Sequence, residues 1–130
     1  MGKLTRRADW PVRLSTYLRG VGPYEIGVTD CALFVAGAIE AITGADLAAR
    51  YRGRYRRKLD GLRILRADGF ADPRSYFAAH LPATDRPQAG DVAILKNSLA
   101  IVQGSRAVYV AGSSGVGVVP IGEAVAFLRV

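Results

Sequence analysis

Cys31, the only cysteine of the chain, stands where a reactive thiol is expected. It follows Asp30, a residue type that caps helices, and precedes the apolar run 32–36, so we predict that it lies in the first turn of a helix. A helix N-terminus presents free N–H groups and a partial positive charge, which stabilise a thiolate. The segment 23–29 before it contains Gly27 and predicts a loop. Cys31 is therefore a candidate nucleophile.

A nucleophilic cysteine needs a base to accept its proton, and imidazole suits that task near neutral pH. The only histidine, His80, precedes Leu81 and Pro82 in a predicted helix. We interpret it as a partly exposed helix-end residue, and its entry into a site at Cys31 is the less favoured alternative. A second interpretation of Cys31 stays open as well, because a lone cysteine on an apolar helix is commonly a small buried hydrophobe.

The elements that must position Cys31 follow from hydrophobic periodicity, which is helical as far as residue 82. Small residues line much of the cysteine helix and indicate that another element packs closely against it: Ala32, Ala36, Gly37, Ala38 and Ala41. The predicted elements are a helix capped by Asp9 and ended by Gly20, a helix from about Asp30 to Thr43 stopped by Gly44, a short helical turn from Asp46 through Arg50, a helix over Leu59 to Leu65 closed by Gly69, and a helix from Asp72 to Leu81.

From Gly90 onward the pattern changes to short β-rich runs. The predicted strands are 91–95, 99–102, 107–110, 116–119 and a last one at 126–130, with turns at 97–98, 104–105 and 112–115. Helices followed by strands predict an α+β fold in which N-terminal helices pack on a C-terminal antiparallel sheet.

Composition bounds the class of protein. The chain of 130 residues fits a single domain, 1–130, with a real core, and no apolar stretch approaches the roughly 20 residues that span a bilayer. The basic start 1–7 leads into no apolar signal core, so we expect a soluble protein made without Sec export. A single cysteine excludes an internal disulfide and a cysteine-rich metal site. We expect Asp91 to satisfy turn N–H groups rather than bind a metal, and we predict no cofactor.

Several short motifs together resemble the NlpC-type cell-wall cysteine peptidases, a papain-like superfamily. The general pattern is matched by Pro23-Tyr24, Gly27, Asp30-Cys31 and Gly90-Asp91. The chain also resembles the branch of this superfamily found in phage tail modules. The residues that carry this likeness are Asp9-Trp10-Pro11, Arg13-Leu14, Glu40-Ala41-Ile42-Thr43-Gly44, Asp46, Arg52-Gly53, Tyr55 and the C-terminal Arg129-Val130. The resemblance covers nearly the whole chain and implies an NlpC-type fold.

The resemblance assigns roles residue by residue. Cys31 takes the nucleophile position, and Tyr24 takes that of a loop tyrosine that helps to position the active site or support the oxyanion. The family's base is a histidine that opens the second core strand, and here that position is Ser98. A serine hydroxyl cannot take a thiol proton as imidazole does. The third polar residue is also missing, since 110–112 offers none.

The formal net charge of +7 is local. Six positive charges lie within 50–58, which contains no acid, so the remainder of the chain carries about +1. We predict an interaction surface formed by Arg50, Arg52, Arg54, Tyr55, Arg56 and Arg57. The alternatives are a nucleic-acid contact and a solvated loop whose tyrosines pack on the domain. We favour docking to acidic patches of neighbouring proteins, because arginine and tyrosine are favoured at interfaces.

Two hypotheses follow from the resemblance. The first is a structural, non-enzymatic component of a phage or phage-like tail tip, made in the bacterial host cytoplasm and carried in the virion beside hub and other tail proteins, with Cys31 as a vestigial nucleophile. The alternative is an active tail-associated peptidoglycan endopeptidase that uses Cys31. The missing histidine favours the first hypothesis, and a nucleic-acid-binding accessory protein is a distant third.

Overall fold

The computed structural model describes residues 4–112 and 115–130, which form four α-helices and a five-stranded antiparallel sheet. The predicted α+β class and order of elements are confirmed. The predicted turn residues Ser113 and Ser114 lie outside the described residues, as do residues 1–3. The elements are α1 Trp10–Arg19, α2 Cys31–Thr43, α3 Lys58–Ala67, α4 Pro73–His80, β1 Val92–Ile94, β2 Leu99–Gln103, β3 Arg106–Ala111, β4 Gly115–Pro120 and β5 Ala126–Leu128, with a short 3₁₀ helix at Ile121–Glu123.

The central helix α2 begins and ends as predicted. The Asp30 side chain accepts a hydrogen bond from the Leu33 backbone N–H, which satisfies one of the free donors of the first turn. Gly44 ends the helix in the left-handed conformation, with φ of 85°, which a residue without Cβ adopts at little cost. Nearly every residue from Leu33 to Ile39 is buried, so α2 forms the middle of the core.

Helix α1 packs against α2 across Gly37. A Cβ added at Gly37 would lie 2.3 Å from the Tyr17 hydroxyl oxygen, so only glycine leaves room for that ring. The Tyr17 hydroxyl donates to the Phe34 carbonyl at 2.8 Å. Burial raises the pKa of Tyr17 to about 12. The close approach predicted from the small residues of α2 is therefore made by a tyrosine of α1.

Asp9 precedes α1 as predicted, but its side chain makes no capping bond. Both carboxylate oxygens instead accept from Arg13 Nε at 2.9 Å, one turn further along the helix. The prediction of a side-chain cap is wrong because an arginine four residues away competes for the same oxygens.

The sheet has the strand order β4-β3-β2-β1-β5, and neighbouring strands are antiparallel. The last strand of the chain thus returns to pair with the first, with Val92 opposite Leu128. One face of the sheet packs against α2 through β2 and β3. The other face carries a smaller apolar cluster centred on Ala93, Ala100 and Ala107.

A fully buried carboxylate joins the two ends of the described chain. Asp91 is 0% exposed and lies between two arginines, each with a nitrogen 3.0 Å from one of its oxygens: Arg6 and Arg129. It also accepts from the backbone N–H groups of Gln88 and Val130. The prediction that Asp91 satisfies turn N–H groups is confirmed, and its two arginine partners are an addition.

Candidate functional site at the start of the central helix

Cys31 is the first residue of α2 and is half-buried between the helix and the start of β2. Leu99 and Ser98, at the start of that strand, both lie near enough to the Cys31 thiol to lower its pKa through hydrogen bonding. The site is therefore formed where the helix N-terminus meets the turn that opens β2. The sequence brings Cys31 and Ser98 together although 66 residues of chain lie between them.

The electrostatics of the site keep the thiol protonated. Burial raises the pKa of the Cys31 thiol, and the neighbouring Asp30 carboxylate raises it further. Hydrogen bonds from Leu99, Ser98 and the Ala32 backbone act in the opposite direction without reversing the shift. The helix position that predicted a stabilised thiolate is thus outweighed by desolvation and by an adjacent negative charge.

Asp30, which precedes Cys31, accepts hydrogen bonds from three parts of the chain around the site. It is only 7% exposed, and besides the bond to Leu33 it accepts from the Gly27 backbone N–H at 2.9 Å and from the Tyr55 hydroxyl at 2.5 Å. Burial and the hydrogen bond to Asp30 raise the pKa of Tyr55 strongly. One carboxylate therefore holds together the start of α2, the preceding loop and residues 50–58, which we call the basic segment.

The loop before α2 is fitted closely to the segment that contains Tyr55. Gly27 has φ of +84°, and a Cβ added there would lie 2.1 Å from the Tyr55 carbonyl oxygen. On its other side the Tyr55 ring lies against Gly61, where an added Cβ would be 3.0 Å from the ring. The close approach of Tyr55 therefore requires glycine at position 27, whereas a Cβ at position 61 would need only a small shift of the Tyr55 ring.

Tyr24 lies at the rim of the site and is 41% exposed. Its backbone N–H donates to the Gly112 carbonyl at 2.7 Å, which ties the loop to the end of β3. Burial raises the pKa of Tyr24, and the nearby Cys31 and Asp30 raise it further. The structure thus brings Tyr24 close to the cysteine, as the loop motif predicts.

The positions predicted for a base and for its orienting partner contain no group that could do this work. Ser98 lies beside the sulfur, and its hydroxyl donates to the Leu99 carbonyl at 3.2 Å. At the end of β3, near Tyr24, stand Val110, Ala111 and Gly112. None of these three side chains is polar.

His80 lies at the C-terminal end of α4, as predicted. Its Nδ1 lies 2.7 Å from the Tyr76 carbonyl oxygen, and its ring packs against the rings of Tyr76 and Phe70, with centroid distances of 4.3 and 6.0 Å. Within the described ranges 4–112 and 115–130, the interactions that shift the pKa of Cys31 include none from His80.

A cavity of about 120 Å³ opens beside Cys31, between the start of α2, the segment 45–57, α3 and α4. Its lining is mainly apolar and includes four tyrosine rings. The lining residues are Tyr24, Ile26, Asp30, Cys31, Ala32, Leu33, Ala48, Tyr51, Tyr55, Lys58, Gly61, Leu62, Leu65, Pro73, Tyr76 and Phe77. No sequence pattern indicated this cavity, because its walls come from five separate segments.

The basic segment divides into an anchored half and a free half. In the anchored half Arg50 pairs with Asp68 at 2.9 Å, Arg52 binds both oxygens of Asp46, and the hydroxyls of Tyr51 and Tyr55 donate to Asp68 and Asp30. In the free half the side chains are exposed and no ion pair joins them to any described residue: Arg54, Arg56, Arg57 and Lys58.

The tyrosines of this segment pack on the domain, as one of the alternatives predicted. Tyr51 is 7% exposed, and its ring meets that of Tyr76 edge to face, with centroids 5.4 Å apart. Tyr51 is too deeply buried to stack on a nucleic-acid base at the surface, and the Tyr55 hydroxyl is held by Asp30.

Among the described residues, no group of three or more histidine, cysteine, aspartate or glutamate side chains is arranged to hold a metal ion. No helix in the same part of the chain is long and apolar enough to cross a membrane.

Fold and site together define an α+β domain with a thiol at the start of its central helix, and the groups that affect the pKa of this thiol within the described ranges include no imidazole. The chain belongs to the family described as a domain of unknown function, DUF6950, whose model matches residues 5–130. No curated protein and no solved structure shows significant similarity to the chain.

Proposed function

We propose that the chain is a structural component of a phage or phage-like tail tip that uses a degenerate papain-like, NlpC-type fold as an interaction module. The tail context is supported by the motif resemblance. The non-enzymatic role is supported by one observation above all: the position that the resemblance gives to the base, near Cys31, holds Ser98 and not a histidine.

The chemistry of the site supports the same conclusion. A cysteine nucleophile acts as a thiolate, and burial together with Asp30 raises the pKa of Cys31 instead of lowering it. General-base catalysis contributes typically about 10²–10⁴-fold, and neither Ser98 nor the side chains at 110–112 can supply it. Asp30 cannot replace the base, since its oxygens are occupied by Leu33, Gly27 and Tyr55.

The direct test of the tail-tip role is mass spectrometry of purified particles from the phage or prophage that encodes the chain. We expect the chain in stoichiometric amounts with hub proteins. Replacement of Arg54, Arg56 and Arg57 by glutamate should impair incorporation, because these exposed cations are free to pair with a neighbour. Arg52 is unsuitable for this variant, since its reversal would also break the pair with Asp46. Absence of the chain from mature particles would contradict the proposal.

The alternative is an active peptidoglycan endopeptidase. Its support is the location of Cys31 at a helix N-terminus, with Tyr24 close by. The test is release of peptides from purified cell walls by the wild type and by Cys31→Ala. We expect no turnover in either protein and unchanged folding of the variant. Turnover that disappears in Cys31→Ala would establish the peptidase instead.

A further inference from the structure

The free half of the basic segment borders the cavity beside Cys31, because Lys58 belongs to both, and the cavity and the cations differ in chemistry. Lys58 lines the cavity, and the exposed cations Arg54, Arg56 and Arg57 precede it on the same stretch of chain. We propose that this surface binds an acidic protein segment that inserts one aliphatic or aromatic side chain into the cavity. The proposal rests on the proposed interaction-module function and specifies the chemistry of its partner.

The cavity suits an apolar group because three of its four tyrosine hydroxyls already donate to groups of the domain. The hydroxyls of Tyr51, Tyr55 and Tyr76 donate to Asp68, Asp30 and the Leu47 carbonyl, so these residues present rings to the cavity. Across the described part of the chain, no buried side-chain nitrogen or oxygen lacks a hydrogen-bond partner. A buried water needs about 2–4 polar partners, and the three bonded tyrosines offer it mainly ring surface.

The size of the cavity limits the group that fits. Its volume is about 120 Å³. Apolar cavities of roughly 150 Å³ stay dry and bind benzene. A single branched aliphatic side chain or a small ring is therefore the appropriate occupant, whereas a nucleobase would bring several polar atoms without partners.

The positive charge near the cavity determines which residues we expect on either side of the inserted side chain in the partner segment. Arg54, Arg56, Arg57 and Lys58 carry four positive charges within five residues. Leu59, next to Lys58, is 66% exposed and adds apolar surface beside them. An apolar anchor in a pocket, surrounded by desolvated arginine contacts, is the arrangement in which a few residues supply most of the binding energy. Acidic residues on both sides of the anchor complement this rim.

The test measures binding of defined peptides to the full chain by NMR titration. The main probe is an amidated heptapeptide with three aspartates on each side of a central phenylalanine or leucine. Matched probes carry a central alanine, or lysines in place of the aspartates. We expect shifts of resonances at Ala32, Leu62 and Tyr24, and a loss of about tenfold in affinity on replacing the anchor by alanine.

Two pairs of variants distinguish the contribution of the cavity to binding from that of the positive charges. Ala32→Leu fills the cavity and should weaken binding about tenfold, whereas Ala67→Leu, an exposed substitution outside the cavity, should not. Arg56→Glu with Arg57→Glu should abolish measurable binding, whereas the exposed pair Lys96→Glu with Arg106→Glu should reduce it at most a few-fold. Circular dichroism checks that each variant folds.

A second measurement uses the wild type alone, so that it does not depend on variants. The bound anchor should cover the half-buried Cys31 thiol and slow its alkylation at pH 9. Equal affinity for the phenylalanine and alanine peptides, no binding of either acidic peptide at millimolar concentration, or tighter binding of single-stranded DNA at the same residues would each overturn the proposal. A chain found in particles that fails these assays would retain the tail-tip role and lose only this partner chemistry.

Discussion

At the residue scale, the pH at which the Cys31 thiol loses its proton distinguishes an activated nucleophile from a thiol that only packs in the domain. Burial and Asp30 raise its pKa, so we expect alkylation by iodoacetamide to accelerate only above the ordinary cysteine value of about 8.5. The measurement is the rate from pH 6 to 10, with the urea-unfolded protein as control. A midpoint below pH 7 in the folded protein would contradict this expectation and indicate an activated thiolate.

The same shift affects stability. Because the pKa of Cys31 is higher in the folded than in the unfolded chain, the thiol's contribution to the free energy of unfolding is fully present below about pH 8.5 and is lost as the pH rises through the folded-state value.

Two aspartates that both precede helices should respond differently to alanine. Asp30→Ala removes bonds to Leu33, Gly27 and Tyr55, and we expect it to lower the free energy of unfolding by about 2–3 kcal/mol. Asp9→Ala should leave the unfolding midpoint nearly unchanged, because that side chain is exposed and makes no cap. Urea denaturation of both variants is the measurement, and equal effects would show that the network around Asp30 contributes little.

At the scale of elements, the loop before α2 depends on glycine at one defined position. Gly27→Ala forces a left-handed residue and a clash with the Tyr55 carbonyl, so we expect a loss of about 3 kcal/mol or more. Gly53 has a similar φ of +73° with nothing within 4 Å of an added Cβ, and Gly53→Ala should cost only about 1 kcal/mol. Thermal unfolding compares the two, and equal losses would exclude a role for the close approach.

Sequence reasoning located the elements well because their signals are local. Asp30 and Gly44 define both ends of α2, and Asp72 caps α4 with bonds to Ser75. No such signal exists for a partner far along the chain, and at Asp9 even the local signal is wrong, because its oxygens accept from Arg13 four residues away. The bond from Tyr55 to Asp30 joins residues 25 apart, and the pairing of β5 with β1 depends on the return of the last strand. A pattern within a few residues carries no information on either contact.

At the scale of the whole molecule, Asp91 holds the first and last described segments together. Asp91→Asn weakens both arginine contacts in a fully buried site, and we expect the free energy of unfolding to fall by about 3 kcal/mol. Hydrogen exchange should quicken at 4–8 and 126–130 before it does in α2. Asp60→Asn is the control, since that carboxylate is 46% exposed and 3.7 Å from Arg63. Unchanged exchange at both ends would contradict the role of Asp91.

The contact between Arg6 Nε and the Val130 carbonyl oxygen, at 3.1 Å, closes a loop over almost the entire chain. The first and last described segments are therefore near neighbours in the fold. Circularisation through a glycine–serine linker would remove conformational entropy from the unfolded chain, a stabilisation of about 5 kcal/mol for a loop of this length. We expect the circular protein to unfold at a higher temperature than a linear protein with the same added residues. A lower unfolding temperature for the circular protein would mean that the linker strains the folded state.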